Sequence, residues 1–121
     1  MGSYVSIRGW LECDYLQIES VQEIILAHDD YYSGGWGAPR KQFDGAFMFY
    51  AANIREQSFD WFMSQLRELA QIPLSVYQDD ADRICGYFLV SHEMNGMSEL
   101  QVRDGQVIVL PADERLKYLD D

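Results

Sequence analysis

Residues 4–13, YVSIRGWLEC, alternate with a period of two. Val5, Ile7, Leu11 and Cys13 fall on one row, and Tyr4, Ser6, Arg8, Trp10 and Glu12 on the other. A two-residue period is the signature of a strand with one buried face. Gly9 interrupts the apolar row, where the missing side chain admits a bulky neighbour or marks a bulge.

Around this strand the chain alternates between helical and extended patterns. Leu16, Ile18, Val21, Ile24, Ile25 and His28 recur at helical spacing, and Asp14 with Gln17, or Ser20 with Glu23, offers a capping box. This helix is predicted to end near His28 and Asp29. Residues 29–42 hold Gly34, Gly35, Gly37 and Pro39 and read as loop, long for a compact domain. FDGAFMFYAANI (43–54) is nearly all apolar and predicts a central strand covered on both faces. Phe59, Phe62, Met63, Leu66, Leu69 and Ala70 predict a second helix, with Ser58 as N-cap and Pro73 closing it.

RICGYFLVSHE, SELQVR and QVIVLP then read as three strands joined by Asn95-Gly96 and Asp104-Gly105 hairpin turns. Pro111 suits the first turn of a short last helix through Leu119. The predicted order is β-α-β-α-β-β-β-α. It describes a single α+β domain over residues 1–121, with one mixed sheet of about five strands and both main helices on one face. The first half offers a crossover unit, right-handed if its strands are parallel. With 121 residues, 48% of them hydrophobic, the chain can build its own core without a metal or disulfide.

Twenty acids against nine bases give a net charge of −11, spread along the chain. Such a field repels phosphate backbones and anionic lipid, so it argues against nucleic-acid and membrane partners. It favours and accelerates encounter with a basic partner. Acidity also serves solubility alone. Cys13 and Cys85 sit in apolar runs without a C-x-x-C pair and read as two buried thiols in a reducing cytosol; a disulfide between adjacent strands is the alternative. The N-terminal residues show no signal-peptide pattern, and no apolar run approaches the roughly 18 residues that span a bilayer.

Candidate catalytic residues are few. His28 beside Asp29 and Asp30 reads as a helix end that complements the dipole, because neighbouring residues there point apart. His92-Glu93 reads as a solvated hairpin end. Asp79, Asp80 and Asp82 resemble half of a calcium loop but lack the later glutamate and central glycine. The glycines of the loop follow a helix, whereas phosphate loops open one. No catalytic set, metal site or cofactor site is therefore expected. A small enzyme using Cys13, His28 or His92 stays open as an alternative, as does a structural or adaptor subunit.

The stretch HDDYYSGGWGAPRK (28–41) places Tyr31, Tyr32 and Trp36 among glycines. Large amphipathic rings of this kind anchor interfaces. Equally, such rings fold back to complete a core, with Trp36 inward and Tyr31 or Tyr32 outward. Trp10, on the polar row of the first strand, is a further candidate for exposure.

SIRGWLEC (6–13), SGGWG (33–37) and the aromatic strand over 43–54 together resemble small immunity proteins of bacterial polymorphic-toxin systems, of the contact-dependent-inhibition and Rhs types. The resemblance implies a cytoplasmic, non-enzymatic protein that binds and neutralises one cognate toxin domain. It carries no binding residue over position by position. The acidic balance suits a basic, nuclease-type toxin. The partner-binding residues expected on that reading are Asp29, Asp30, Asp79, Asp80, Asp82 and Glu93, with Tyr31, Tyr32 and Trp36 as aromatic anchors.

Overall fold

The computed structural model describes residues 3–14, 17–39, 46–72 and 84–120. Six strands form one sheet: β1 (Tyr4–Cys13), β2 (Trp36–Gly37), β3 (Ala46–Arg55), β4 (Cys85–His92), β5 (Gly96–Arg103) and β6 (Gln106–Pro111). Their spatial order is β2-β3-β1-β4-β5-β6. Two helices, α1 (Ile18–Ala27) and α2 (Phe59–Ala70), cover one face. The chain is thus α+β with both helices on one side.

The expected mixed sheet of five strands is corrected: every neighbouring pair in this six-stranded sheet is antiparallel. The reason lies in the segment that sequence patterns mark as loop. The backbone N–H of Gln17 donates to Asp14 O, so α1 starts at the Cys13 end of β1. The next turn is fastened to Arg55, at the Tyr4 end. Trp36-Gly37 then runs back along β3, pairing with Tyr50 and Phe49. Two reversals return the chain to the end where β1 finished, so β3 lies antiparallel to β1. The crossover falls elsewhere: β3 and β4 flank β1, both antiparallel to it, and are therefore parallel to each other with α2 between them in sequence.

Alternation along β1 sorts the faces. Val5, Ile7 and Leu11 point to the helices with Tyr50, Ile54, Phe88, Val90, Leu100 and Val102, and meet Phe62, Leu66 and Leu69 of α2. Gly9 sits opposite Phe88, and a Cβ there would stand 2.7 Å from that ring. Residue 9 must lack a side chain for β1 and β4 to pair. Strand β3 is covered less fully than its composition predicts: Phe49, on the face away from the helices, is 45% exposed. β5 and β6 join through Asp104-Gly105, both at positive φ, as the tight hairpin requires. Pro111 ends β6 instead of opening a helix, and the last segment, Glu114–Asp120, is a 3₁₀ turn on the face opposite α1 and α2.

The cysteine expectation also changes. Cys85 is exposed and Cys13 partly buried. Cys85 pairs with Glu12, so Cys13 is one residue off register and points to the other face. A bridge between them is excluded by that alternation. Among the described residues, no helix is long and apolar enough to cross a membrane.

Candidate interaction surface

The loop after α1 is built, not slack. Residues Tyr31–Gly35 form a 3₁₀ turn. Asp30 caps it: its carboxylate accepts from Tyr31 N at 2.8 Å, while Ser33 Oγ accepts from Asp30 N at 2.9 Å. This reciprocal arrangement satisfies backbone donors that a helix start leaves open. Below the turn, the buried Tyr50 phenol donates to Tyr32 O at 2.9 Å. Tyr32's own hydroxyl accepts from Arg55 N at 3.3 Å. Gly35 lies on the Tyr50 ring, where a Cβ would meet ring carbons at 2.8 and 2.9 Å. The glycine lets the turn approach the core.

The three aromatics divide. Trp36 turns inward, with its ring 5.0 Å from Tyr50, 6.0 Å from Phe62 and 6.3 Å from Phe88 between centroids. It is a core plug, and its expected role as an exposed anchor is withdrawn. Tyr32 is partly buried against the same core. Tyr31 stands out at 89% exposure, its ring braced edge-on by Tyr32 at 5.1 Å.

α1, which leads into this turn, presents an outward stripe that sequence reasoning missed. Glu19, Glu23 and Leu26 fall on one face at helical spacing. Leu26 is 73% exposed. The readable signal was an apolar residue off the inner stripe of Ile18, Val21, Ile24 and Ile25. Asp29 and Asp30 follow the helix in sequence and are exposed. Residues 17–39 carry four acids and no lysine or arginine. Residues 56–72, which include α2, carry Glu56, Asp60 and Glu68 against Arg67. The two segments together hold seven acids and one lysine or arginine.

Glu93 joins this surface indirectly. Its carboxylate accepts from Tyr4 N at 2.8 Å, Tyr4 lies under the Arg55 guanidinium at 5.7 Å, and Arg55 N reaches Tyr32. Asp79, Asp80 and Asp82 lie outside the described residues.

The candidate catalytic side chains do not converge. His28 Nε2 meets Glu68 Oε2 at 2.7 Å, and its carbonyl accepts from Trp61 Nε1 at 2.7 Å, so it ties α1 to α2. His92 Nδ1 pairs with Glu56 at 2.8 Å and its ring packs edge-on to Phe59, a more enclosed place than a solvated hairpin end. His92 is opposite Val5 and Cys13 opposite Ala46, eight residues apart along β1, about 26 Å. Burial, then the nearby Asp14 charge, push the Cys13 thiol up to about 11, which keeps it protonated at neutral pH. Among the described residues, no group of three His, Cys, Asp or Glu side chains is placed to hold a metal.

Comparison with family models, with curated proteins and with solved structures finds no match for this chain.

Proposed function

We propose that the protein is a stoichiometric binding protein, a cytoplasmic immunity protein that occludes a basic, nuclease-type toxin domain. One observation carries the reading. The α1 stripe and the capped turn combine four acids, no lysine or arginine, and two exposed apolar side chains, Leu26 and Tyr31, on a pinned backbone. Acids steer a basic partner and set register, while a desolvated aromatic supplies holding energy. A turn fixed from below by Tyr50 loses little freedom on binding.

The test is co-expression with the toxin domain encoded by the adjoining reading frame. Growth rescue and a stoichiometric complex are expected, and Glu19→Lys with Glu23→Lys should abolish both while leaving the fold intact. A toxic neighbour that is neither rescued nor bound would refute the proposal.

A second reading, a structural subunit, is favoured by one observation. β6 is an edge strand without a charged residue, and its Val109 is 58% exposed. Uncharged edges invite strand pairing. A monomer by light scattering at high concentration would count against it.

A further inference from the structure

Strand β6 is one edge of the sheet, and among the described residues no strand pairs with its outer side. Its register fixes which backbone groups face outward. The Asp104-Gly105 turn closes on Arg103 and Gln106, the hydrogen-bonded pair of a two-residue hairpin. Bonded and non-bonded pairs alternate along an antiparallel ladder, so Gln106, Ile108 and Leu110 turn their N–H and C=O toward β5. Ala112 N, which donates to Met97 O at 3.4 Å, continues that phase. Val107, Val109 and Pro111 therefore aim their backbone groups away from the sheet. Proline has no N–H to leave unpaired there, which is why an edge tolerates it.

Val107 and Val109 each keep a free donor and a free acceptor, placed symmetrically about Ile108. Such an edge is complementary to itself run antiparallel. With Ile108 opposite Ile108 of a second copy, Val107 of each chain exchanges both bonds with Val109 of the other. Centring the pair on Val109 instead would set Val107 against Pro111, which cannot donate to its carbonyl. The side chains fit the same register. Val109 shares the helical face with its partner Leu100 and is 58% exposed. A notch of 210 Å³ lies beside Val107, between Arg67 and Gln71 of α2 and the Gly105-Gln106 backbone. Val109 of the second copy, opposite Val107, stands at that notch. Finally, β6 carries no charged residue. In a chain of net charge −11, two copies meet along it without opposing like charges, and a basic strand finds no acid on it to pair with.

We propose that β6 pairs antiparallel with β6 of a second copy of this chain, Ile108 against Ile108, continuing the sheet across a two-fold axis. The proposal rests on the structural-subunit reading of this edge and adds the occupant and the register. An interface this short is weak and dimerises the chain only as concentration rises.

Sedimentation over a concentration series is the test. The unmodified protein should pass from monomer to dimer, and Val109→Lys should stay monomeric throughout. The added lysine lowers the net negative charge, so it does not weaken a dimer held elsewhere. Register is read by cross-linking in a Cys13→Ser, Cys85→Ser background. Ile108→Cys should oxidise to a disulfide-linked dimer, because a non-hydrogen-bonded pair sets its Cα atoms about 4.5 Å apart, and Leu110→Cys should not. A monomer at every concentration would overturn both the proposal and the structural-subunit reading. A dimer that survives Val109→Lys would leave that reading standing and overturn the proposal. Cross-linking through Leu110→Cys in place of Ile108→Cys would overturn the register.

Discussion

The phenol of Tyr50, on β3, donates to the backbone carbonyl of Tyr32, so a fully buried core residue carries the turn that displays Tyr31. Tyr50→Phe keeps the ring contacts with Trp36 and Phe62 and removes only this bond. The orphaned carbonyl should cost about 1 kcal/mol. Urea denaturation is expected to show that loss, and amide exchange is expected to accelerate within residues 31–36 before it does so in β1 or β4. Uniform acceleration everywhere would mean that the bond holds the whole fold and not the turn.

The same hydroxyl gives a pH dependence. Burial, then the Asp30 charge and then Tyr32, push the Tyr50 phenol up to about 12 from its ordinary 10.0. Burial, with the Glu99 hydrogen bond and charge, pushes Tyr87 up to about 12 as well. Both folded-state values exceed the unfolded one, so the folded state favours the protonated phenol. Their stabilisation is complete below about pH 10 and is lost as pH rises through 12. The urea midpoint should therefore be insensitive to these groups at neutral pH and fall across that alkaline window, with Tyr50→Phe falling less steeply. Tyrosinate absorbance tracks the transition; two late-titrating phenols are expected.

Much of this fold is legible in the sequence, and the failures share a cause. Alternation marks β1, and helical spacing marks α2, because packing against one face imposes those periods. Asp104-Gly105 announces its hairpin because few residues accept positive φ. Strand direction is not local. It turned on Trp36-Gly37 pairing with β3, two residues whose strand character comes from a partner 14 positions or fewer away and from the aromatic pocket behind Trp36. The aromatic loop was recognisable as a surface feature, but the direction of each ring depends on what lies beneath it. The contact of the C-terminal turn with Arg8 was invisible, since it brings together residues more than 100 positions apart.

Exposure at Tyr31 separates binding from stability. Tyr31→Ala removes a ring that is 89% exposed, so unfolding free energy should stay within about 0.5 kcal/mol. Affinity for the basic partner should fall by about 2 kcal/mol, the scale of an interface anchor. Asp30→Asn keeps the acceptor that caps the turn and removes only charge. It should slow association and weaken its salt dependence with little change in off-rate. Calorimetry and stopped-flow mixing resolve the two effects. Equal affinity of Tyr31→Ala and the unmodified protein would place the contact elsewhere.

Two glycines give opposite expectations. A Cβ on Gly9 would stand 2.0 Å from Tyr87 O and 2.6 Å from Phe88 Cα. These are backbone atoms of the strand paired to β1, so no rotamer change relieves the clash. Gly9→Ala must separate β1 from β4 at the centre of the sheet or push Phe88 off Phe62 and Trp36. Overpacking of this kind costs roughly 1–3 kcal/mol, and backbone involvement sets Gly9→Ala at or above the upper value. Gly34, within the 3₁₀ turn, has open space within 4 Å of the same added atom. Gly34→Ala restricts the unfolded chain without a clash and should be neutral or stabilise by up to about 1 kcal/mol. Thermal denaturation of the two variants side by side decides the matter: a Gly9→Ala protein as stable as the parent would mean that the β1–β4 pairing tolerates a side chain at its closest approach.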